Sequence, residues 1–174
     1  MAITYNNTES STMYSYLCYD SVTGDTAKNA PTGSVTLTKV ADIKDFPALG
    51  GAPEQVETTT LSNASSTFVT GVQSVDAFEF TANYTSTSFK KLKEIQKDNE
   101  LRRFYIVFGR KEETSGTVTY GEYGVFYWAG TLSCWLDGGS VNVVRQTKIS
   151  ISSATEVQMV PDDVSNVTID DEAA

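Results

Sequence analysis

The stretch Tyr123–Leu136, YGVFYWAGTLSCWL, decides the fold class of this chain. It continues a pattern present in Phe104–Phe108, where apolar side chains occupy both alternating sets of positions. A strand that is apolar on both faces is typical of the buried centre of a sheet. Gly130 lies inside the run and predicts a bulge, a sharp bend or a close backbone approach. The aromatic residues expected in the core are Tyr127, Trp128 and Trp135.

Alternation with a period of two predicts further strands on both sides of this centre. The segments are Thr12–Tyr19, Val35–Val40, Glu54–Leu61, Thr67–Val72, Val75–Tyr84 and Val141–Ile151. The first two are expected to form a hairpin or to lie side by side. The sequence therefore predicts a mainly β protein, folded as a sandwich or a barrel-like domain.

One helix is predicted, over residues 88–98, and it would flank the sheet. Ser88 is its expected N-cap, and Lys97 with Asn99 would close its end. The apolar stripe that would face the body is Phe89, Leu92 and Ile95. The lysines of its outer face are interpreted as a solvated surface rather than a nucleic-acid patch: Lys90, Lys91, Lys93 and Lys97.

The 174 residues are expected to form a single domain with three irregular parts. These are an extended N-terminal arm at 1–11, a long inter-strand loop at 41–53, and an extended acidic C-terminal arm at 153–174. The loop carries large apolar side chains between its prolines and glycines. Because a solvated loop has no use for such side chains, they either fold back on the chain's own core or contact a neighbouring copy.

The composition excludes several kinds of chemistry. The chain has no histidine, so a Ser-His-Asp triad, a Cys-His pair and an imidazole zinc site cannot be built. Cys18 and Cys134 lack metal or redox spacing and are expected to be small buried residues in a reducing compartment. No phosphate-binding loop, dinucleotide motif or calcium loop is present, so no cofactor and no metal are expected. No secretory signal is recognised, and membrane insertion is not expected because no apolar run reaches about 20 residues.

Paired carboxylates are the catalytic option that this composition leaves open. Glu57 or Glu79 could face Glu122 across an aromatic cleft beside Tyr120 and Tyr123, as in a β-jelly-roll glycoside hydrolase or carbohydrate-binding module. This alternative is weaker than a non-enzymatic interpretation, because acidic and aromatic residues are common on sheets.

Charge is unevenly distributed along the chain. The net charge is −9, made up of −6 in residues 1–80, +3 in 81–103 and −6 in 104–174. Affinity for nucleic acid comes largely from Lys and Arg, which release counterions from phosphates. A chain this acidic is therefore expected to repel DNA rather than hold it.

An ordered set of motifs resembles the major tail tube proteins of bacteriophages with long, non-contractile tails. Its most specific part is TKVADIKDFPALGGAPEQVETTTLSN, which begins at Thr38, with the Pro-Ala-Leu-Gly-Gly-Ala-Pro-Glu loop leading into Glu57–Leu61. The Gly71-Val72-Gln73 segment, the predicted helix, Phe104–Phe108 and the Gly130–Ser133 segment follow in the same order. The likeness covers residues about 37–152.

This resemblance implies a structural virion protein and no enzymatic activity. Its relatives assemble in the host bacterial cytoplasm into hexameric rings, stacked head to tail as a tube through which double-stranded DNA leaves the virion. The implied partners are other copies of the chain and the tail terminator, tape measure and distal tail proteins, with DNA in transient, non-specific passage. The tube protein of a phage-derived secretion or injection system shares the fold and stays open as an alternative.

The resemblance also gives the assembly residues. The loop residues expected between subunits or between stacked rings are Ile43, Phe46, Pro47, Leu49, Gly50, Gly51 and Pro53. The polar positions expected to line the lumen are Glu57, Thr59, Gln146, Lys148 and Ser150. Lys148 is the exception among them and is expected to pair with an acid.

Overall fold

The computed structural model describes residues 5, 9, 14–60, 65–71, 77–112 and 118–170. The described part is mainly β, as predicted, with one α-helix, α1 (Ser86–Asp98), and a short 3₁₀ helix at Gly24–Lys28. The strands are β1 Ser15–Thr23, β2 Gly33–Ala41, β3 Ile43–Asp45, β4 Gln55–Glu57, β5 Phe68–Thr70, β6 Phe78–Asn83, β7 Arg102–Glu112, β8 Val118–Leu136, β9 Gln146–Ser153, β10 Gln158–Met159 and β11 Val164–Asp170.

A single large sheet wraps back on itself. Its strand order is β11-β2-β1-β7-β8-β9-β6-β3. Strand β10 pairs with β8 outside this order, and β4 and β5 form a separate two-stranded sheet. Only Asp42 separates β2, near one end of this order, from β3 at the other end. The chain itself therefore closes the sheet into a barrel-like body, and the predicted pairing of the first two strands is confirmed.

The central strands β7 and β8 are buried on both faces, as their sequence predicts. On one face Phe104, Ile106 and Trp128 belong to a core that also takes side chains from β6 and β9. On the other face Tyr105 and Val107 belong to a second core with side chains from β2 and the C-terminal segment. Each face of a doubly apolar strand thus has its own covering layer.

The second core explains what happens to the predicted C-terminal arm. Residues 153–174 do not form an extended arm throughout, because β11 pairs parallel with β2 over Val164–Asp170. Val164 and Val167 are buried in the second core. The acidic residues predict a solvated tail, but Val164 and Val167 lie between them and pack in the second core. The predicted N-terminal arm at 1–11 lies outside the described residues except for Tyr5 and Glu9.

Gly130 marks a change of partner within β8. The strand pairs with β7 up to Gly130 and with β9 from Gly130 to Leu136. A Cβ added at Gly130 would lie 2.7 Å from Ile151 Cγ2 and 2.7 Å from the Ser152 carbonyl oxygen. The prediction of a close backbone approach is confirmed, and no larger residue fits without displacing β9.

Helix α1 covers the edge of β8 that β7 leaves unpaired. Lys93 Nζ donates to the Cys134 carbonyl oxygen at 2.7 Å, and the Cys134 amide donates to Gln96 Oε1 at 3.4 Å. Lys93, predicted to be part of a solvated surface, therefore also attaches the helix to β8. The N-cap is Thr85, whose hydroxyl accepts from the Ser88 amide, so the helix begins two residues earlier than predicted. The predicted end is confirmed, with Asn99 in the left-handed conformation, and the two cysteines are buried and not joined in a disulfide.

A buried ion pair holds the turn between β1 and β2 against β7. Arg103 Nε donates to Asp20 Oδ2 at 2.8 Å, and the Tyr105 hydroxyl donates to the same oxygen at 2.8 Å. Arg103 also donates to the Asn29 carbonyl oxygen. Burial, with a smaller effect of Asp20, raises the pKa of Tyr105 far above its usual value, so this hydroxyl stays protonated.

We expect Gly130→Ala to lower the free energy of unfolding by about 1–3 kcal/mol, because the new methyl group overlaps Ile151 and the backbone of β9. Gly138→Ala is the matched control, since an added Cβ there meets nothing within 4 Å. Its effect should stay within about 0.5 kcal/mol. Urea denaturation measures both variants, and equal stabilities would contradict the close packing at Gly130.

We expect Asp20→Asn to lower the free energy of unfolding by about 3–5 kcal/mol, because it leaves the Arg103 guanidinium buried without its counter-charge. Asp25→Asn removes an ion pair with the similar N–O distance of 2.9 Å, to Lys28, on the exposed surface. It should change stability little because solvent screens the pair. A loss for Asp20→Asn as small as that for Asp25→Asn would show that the buried pair does not hold the turn.

Candidate assembly surfaces

One sheet face is polar and exposed, and it is built where β8 has left β7. In β9 the buried residues Thr147, Ile149 and Ile151 alternate with outward ones. The paired positions of β6 and of β8 beyond Gly130 face outward with them. This surface, called the polar face below, consists of Thr131, Ser133, Trp135, Gln146, Lys148, Ser150, Ser152, Glu79 and Asn83. Thr81 lies in the same row of β6 but is buried.

The structure thus brings together three of the predicted lumen residues, Gln146, Lys148 and Ser150, at alternate positions of one strand. It places the other two elsewhere. Glu57 ends β4 of the separate hairpin, and Thr59 follows it, with its hydroxyl accepting from the Thr67 amide. Sequence alternation identifies which residues share a face of one strand, but pairing between strands decides which faces join.

Lys148 is paired with an acid, as expected. Its Nζ lies 3.0 Å from Glu79 Oε1 and donates to the Thr81 hydroxyl at 2.9 Å. The hydrogen bond with Glu79 raises the pKa of Lys148 above its usual value. The opposite charges of Lys148 and Glu79 offset each other, so the polar face presents mostly hydroxyl and amide groups.

Trp135 departs from the prediction that it lies in the core. It is 43% exposed on the polar face, opposite Lys148 in the ladder, whereas Trp128 is fully buried. The two tryptophans are an odd number of residues apart, and alternation puts them on opposite faces. Trp128 packs against Phe78 and Phe80 in the main core, as predicted.

The apolar residues of the 41–53 loop fold back on the chain's own core. Ile43, Phe46 and Leu49 pack against the main core, and each keeps part of its surface exposed. The Phe46 ring lies 5.6 Å from the Phe108 ring, centroid to centroid. The sequence left open whether these side chains pack on their own core or contact another copy. Within the single chain they pack on their own core. Contact with another copy stays a prediction and would use the part of each side chain that is still exposed.

An open apolar groove of about 350 Å³ lies beside this loop. Pro47 is half-buried in its wall, whereas Gly50, Gly51 and Pro53 are exposed beyond it. The residues that line this surface, called the apolar groove below, are Phe46, Pro47, Ala48, Leu49, Phe108, Phe126 and Val157.

The β4-β5 hairpin is a second exposed apolar feature. Its residues are exposed throughout, and Val56 pairs with Val69 on one face while Phe68 lies on the other. An isolated two-stranded hairpin is marginally stable in water. Such an element gains stability when another surface covers it, which is typical of an assembling subunit.

The carboxylate pair considered from the sequence is not assembled. Glu79 aligns with Ser150, and Ser150 aligns with Ser133 on β8. Glu122 precedes Ser133 by eleven residues, which is about 36 Å along β8 at roughly 3.3 Å per residue, whereas glycoside hydrolysis needs two carboxyl groups within roughly 10 Å. Glu57 belongs to the separate hairpin. Within the described residues, no group of three or more metal-ligating side chains occurs, and no helix is long and apolar enough to cross a membrane.

A β domain that leaves apolar loops and one polar face uncovered is typical of a structural subunit built to contact other subunits. The chain belongs to the phage tail tube family, whose model, described as "Phage tail tube, TTP, lambda-like", matches residues 26–163. It is therefore a structural protein of a phage tail tube and a virion component. Among curated proteins, no sequence matches the chain.

Three solved structures are similar to this chain at low sequence identity, and the first of them shares its fold. A chain of the anti-feeding prophage (AFP) baseplate, solved by cryo-electron microscopy and 6-fold symmetrised, has a TM-score of 0.58 at 7% identity, covering 89% of this chain and 97% of that one. An Hcp protein gives a TM-score of 0.43 at 12% identity, covering 83% and 96%. A type six secretion system protein gives 0.46 at 12% identity, covering 83% and 81%.

We expect Glu79→Gln to lower the pKa of Lys148 toward the usual lysine value, because it removes the hydrogen-bonding carboxylate. A raised lysine pKa stabilises the fold below the usual value of about 10.4 and loses this effect as the pH rises through the raised one. The contribution should therefore disappear only in the alkaline range. NMR titration of the Lys148 Nζ measures the shift. Glu57→Gln is the control and should leave that pKa unchanged.

Proposed function

We propose that six copies of this chain form a ring, and that rings stack head to tail into the hollow tube of a long, non-contractile phage tail. The match of a tail tube family model to residues 26–163 carries this proposal. Heterologous contacts close into rings around an axis and extend as open stacks along it. Exposed apolar residues at separate places on the chain, in the hairpin and in the groove, support such contacts.

The finer assembly also belongs to the proposal. We propose that the loop residues Ile43, Phe46, Pro47, Leu49, Gly50, Gly51 and Pro53 meet a neighbouring subunit or ring with the surface that they keep exposed. The tail terminator, the tape measure protein and the distal tail proteins would contact the tube at its ends and in its interior. Assembly would take place in the cytoplasm of the host bacterium, before the tube joins the virion.

We propose that the polar face lines the lumen and that double-stranded DNA passes along it during ejection. The face offers hydroxyl and amide groups, and its lysine is held by Glu79. With a net charge of −9 on each chain, the tube would repel phosphates. DNA can then slide without the counterion release that makes cationic surfaces adhesive. Gln146 and Ser150 would contact the solvent layer around the DNA.

Electron microscopy of the concentrated, purified chain tests the assembly. We expect hollow tubes with sixfold end views, and a chain that stays monomeric at every concentration would contradict the proposal. The lumen is tested on the same tubes with Ser150→Cys and a maleimide carrying a large polymer. Ser150→Cys should react in monomers and be protected in tubes, because the reagent is too bulky to enter.

Asn166→Cys is the matched control for labelling, since Asn166 is exposed on β11, away from the polar face. It should react in both states. The native cysteines are buried and should contribute little background. Equal labelling of Ser150→Cys in tubes and monomers would show that the polar face points away from the lumen, and would leave tube formation itself standing.

A further inference from the structure

The loop between β8 and β9 displays apolar side chains that the sequence assigned to a strand. The predicted strand Val141–Ile151 begins only at Gln146, so its first part lies outside the sheet. Val141 is 89% exposed, Val143 55% and Val144 65%. Residues 137–145 are called the valine loop below. Nothing in the alternation of the sequence distinguishes these valines from strand residues.

Backbone hydrogen bonds fix the base of the valine loop. The Asp137 amide donates to the Gln146 carbonyl oxygen at 3.0 Å, and the Tyr84 amide donates to the Arg145 carbonyl oxygen at 2.9 Å. Asn142 turns the loop in the left-handed conformation, with a φ of 65°. In the 41–53 loop the large apolar side chains return to the chain's own core, whereas these do not.

The apolar groove lies at a different place along the same strand. Phe126 lines the groove, and Leu136 ends β8 at the valine loop. At roughly 3.3 Å per residue these positions lie about 33 Å apart along the strand. The valine loop does not lie in the groove of its own chain, because Val141, Val143 and Val144 are exposed. Two different apolar surfaces at separated sites are what a head-to-tail contact between copies requires.

Opposite charges are present beside the two surfaces, although the valine loop also contains Asp137, and Lys44 lies next to Asp45. Arg145 follows Val144 and is exposed. Asp45 directly precedes Phe46 of the groove, Glu156 directly precedes Val157, and both acids are exposed. A loop seated in the groove would bring opposite charges near each other, which favours one orientation of the contact.

We propose that the valine loop of one copy seats in the apolar groove of a copy in the next ring. The inference rests on the proposed tube and names one of its ring-to-ring contacts. The hairpin is a poorer occupant for the groove, because β4 follows the groove-lining loop after only a few residues of chain. An occupant from the next ring has to come from a different part of the subunit.

Disulfide trapping tests this contact in assembled tubes. The test chain carries Val143→Cys and Ala48→Cys, both at exposed positions, so that folding is preserved. After oxidation we expect a non-reducing gel to show a ladder rising in steps of 18.9 kDa and continuing beyond six copies. Links between rings extend along the tube without limit, whereas links around one ring stop at six.

Two matched pairs serve as controls. Val143→Cys with Ser34→Cys places the second thiol at an exposed position on β2, outside the groove, and should give less than about a tenth of the cross-linked product. Phe68→Cys with Ala48→Cys offers the hairpin as the occupant instead. A ladder from the Phe68 pair and none from the Val143 pair would overturn the inference.

The remaining outcomes are distinguishable as well. Tubes that form normally without any Val143–Ala48 ladder would overturn the inference and leave the proposed function standing. A ladder that ends at six copies would also overturn it, because the contact would then run around the ring. Absence of tubes from the unmodified chain would remove the proposed function and this inference together.

Discussion

The burial of β7 and β8 on both faces is the constraint on which the rest of the structure depends. Phe104 and Ile106 need one covering layer, and Tyr105 and Val107 need another. The first layer is the sheet wrapped back through β9 and β6. The second consists of β2 with the C-terminal segment, so an apparently acidic tail becomes part of the body. Without either layer, fully buried side chains of the two longest strands would meet water.

Gly130 links this core to the polar face. Because the residue has no side chain, β9 can approach β8 at the point where β8 leaves β7. The second half of β8 then builds a face with β9 and β6 that is apolar inside and polar outside. Helix α1 satisfies the backbone edge that the change of partner exposes. One glycine thus allows a single long strand to serve the double core and the polar face.

The 41–53 loop packs on the main core of its own chain, whereas the 137–145 loop does not. Phe46 and Leu49 lie over exposed parts of the main core and fold onto it, leaving a groove beside Phe108 and Phe126. The valine loop leaves the sheet at the end of β8, where backbone hydrogen bonds fix its base and its valines stay exposed. Apolar residues of similar character therefore have different surroundings: Phe46 and Leu49 pack on the core and line a groove, whereas the valines stay exposed.

The sequence by itself determined the mainly β class, the helix, the central position of Phe104–Phe108 and the pairing of Lys148 with an acid. For Gly130 it left a bulge, a sharp bend and a close approach open. These features follow from local periodicity, from glycine's missing side chain and from the cost of an unpaired charge. Only the tertiary structure decided that Val141 and Trp135 are exposed, that Val164 and Val167 anchor the tail, and that Glu57 is separated from Ser150. Alternation states which residues share a face, but the partner that covers a face comes from distant parts of the chain, and no local pattern encodes it.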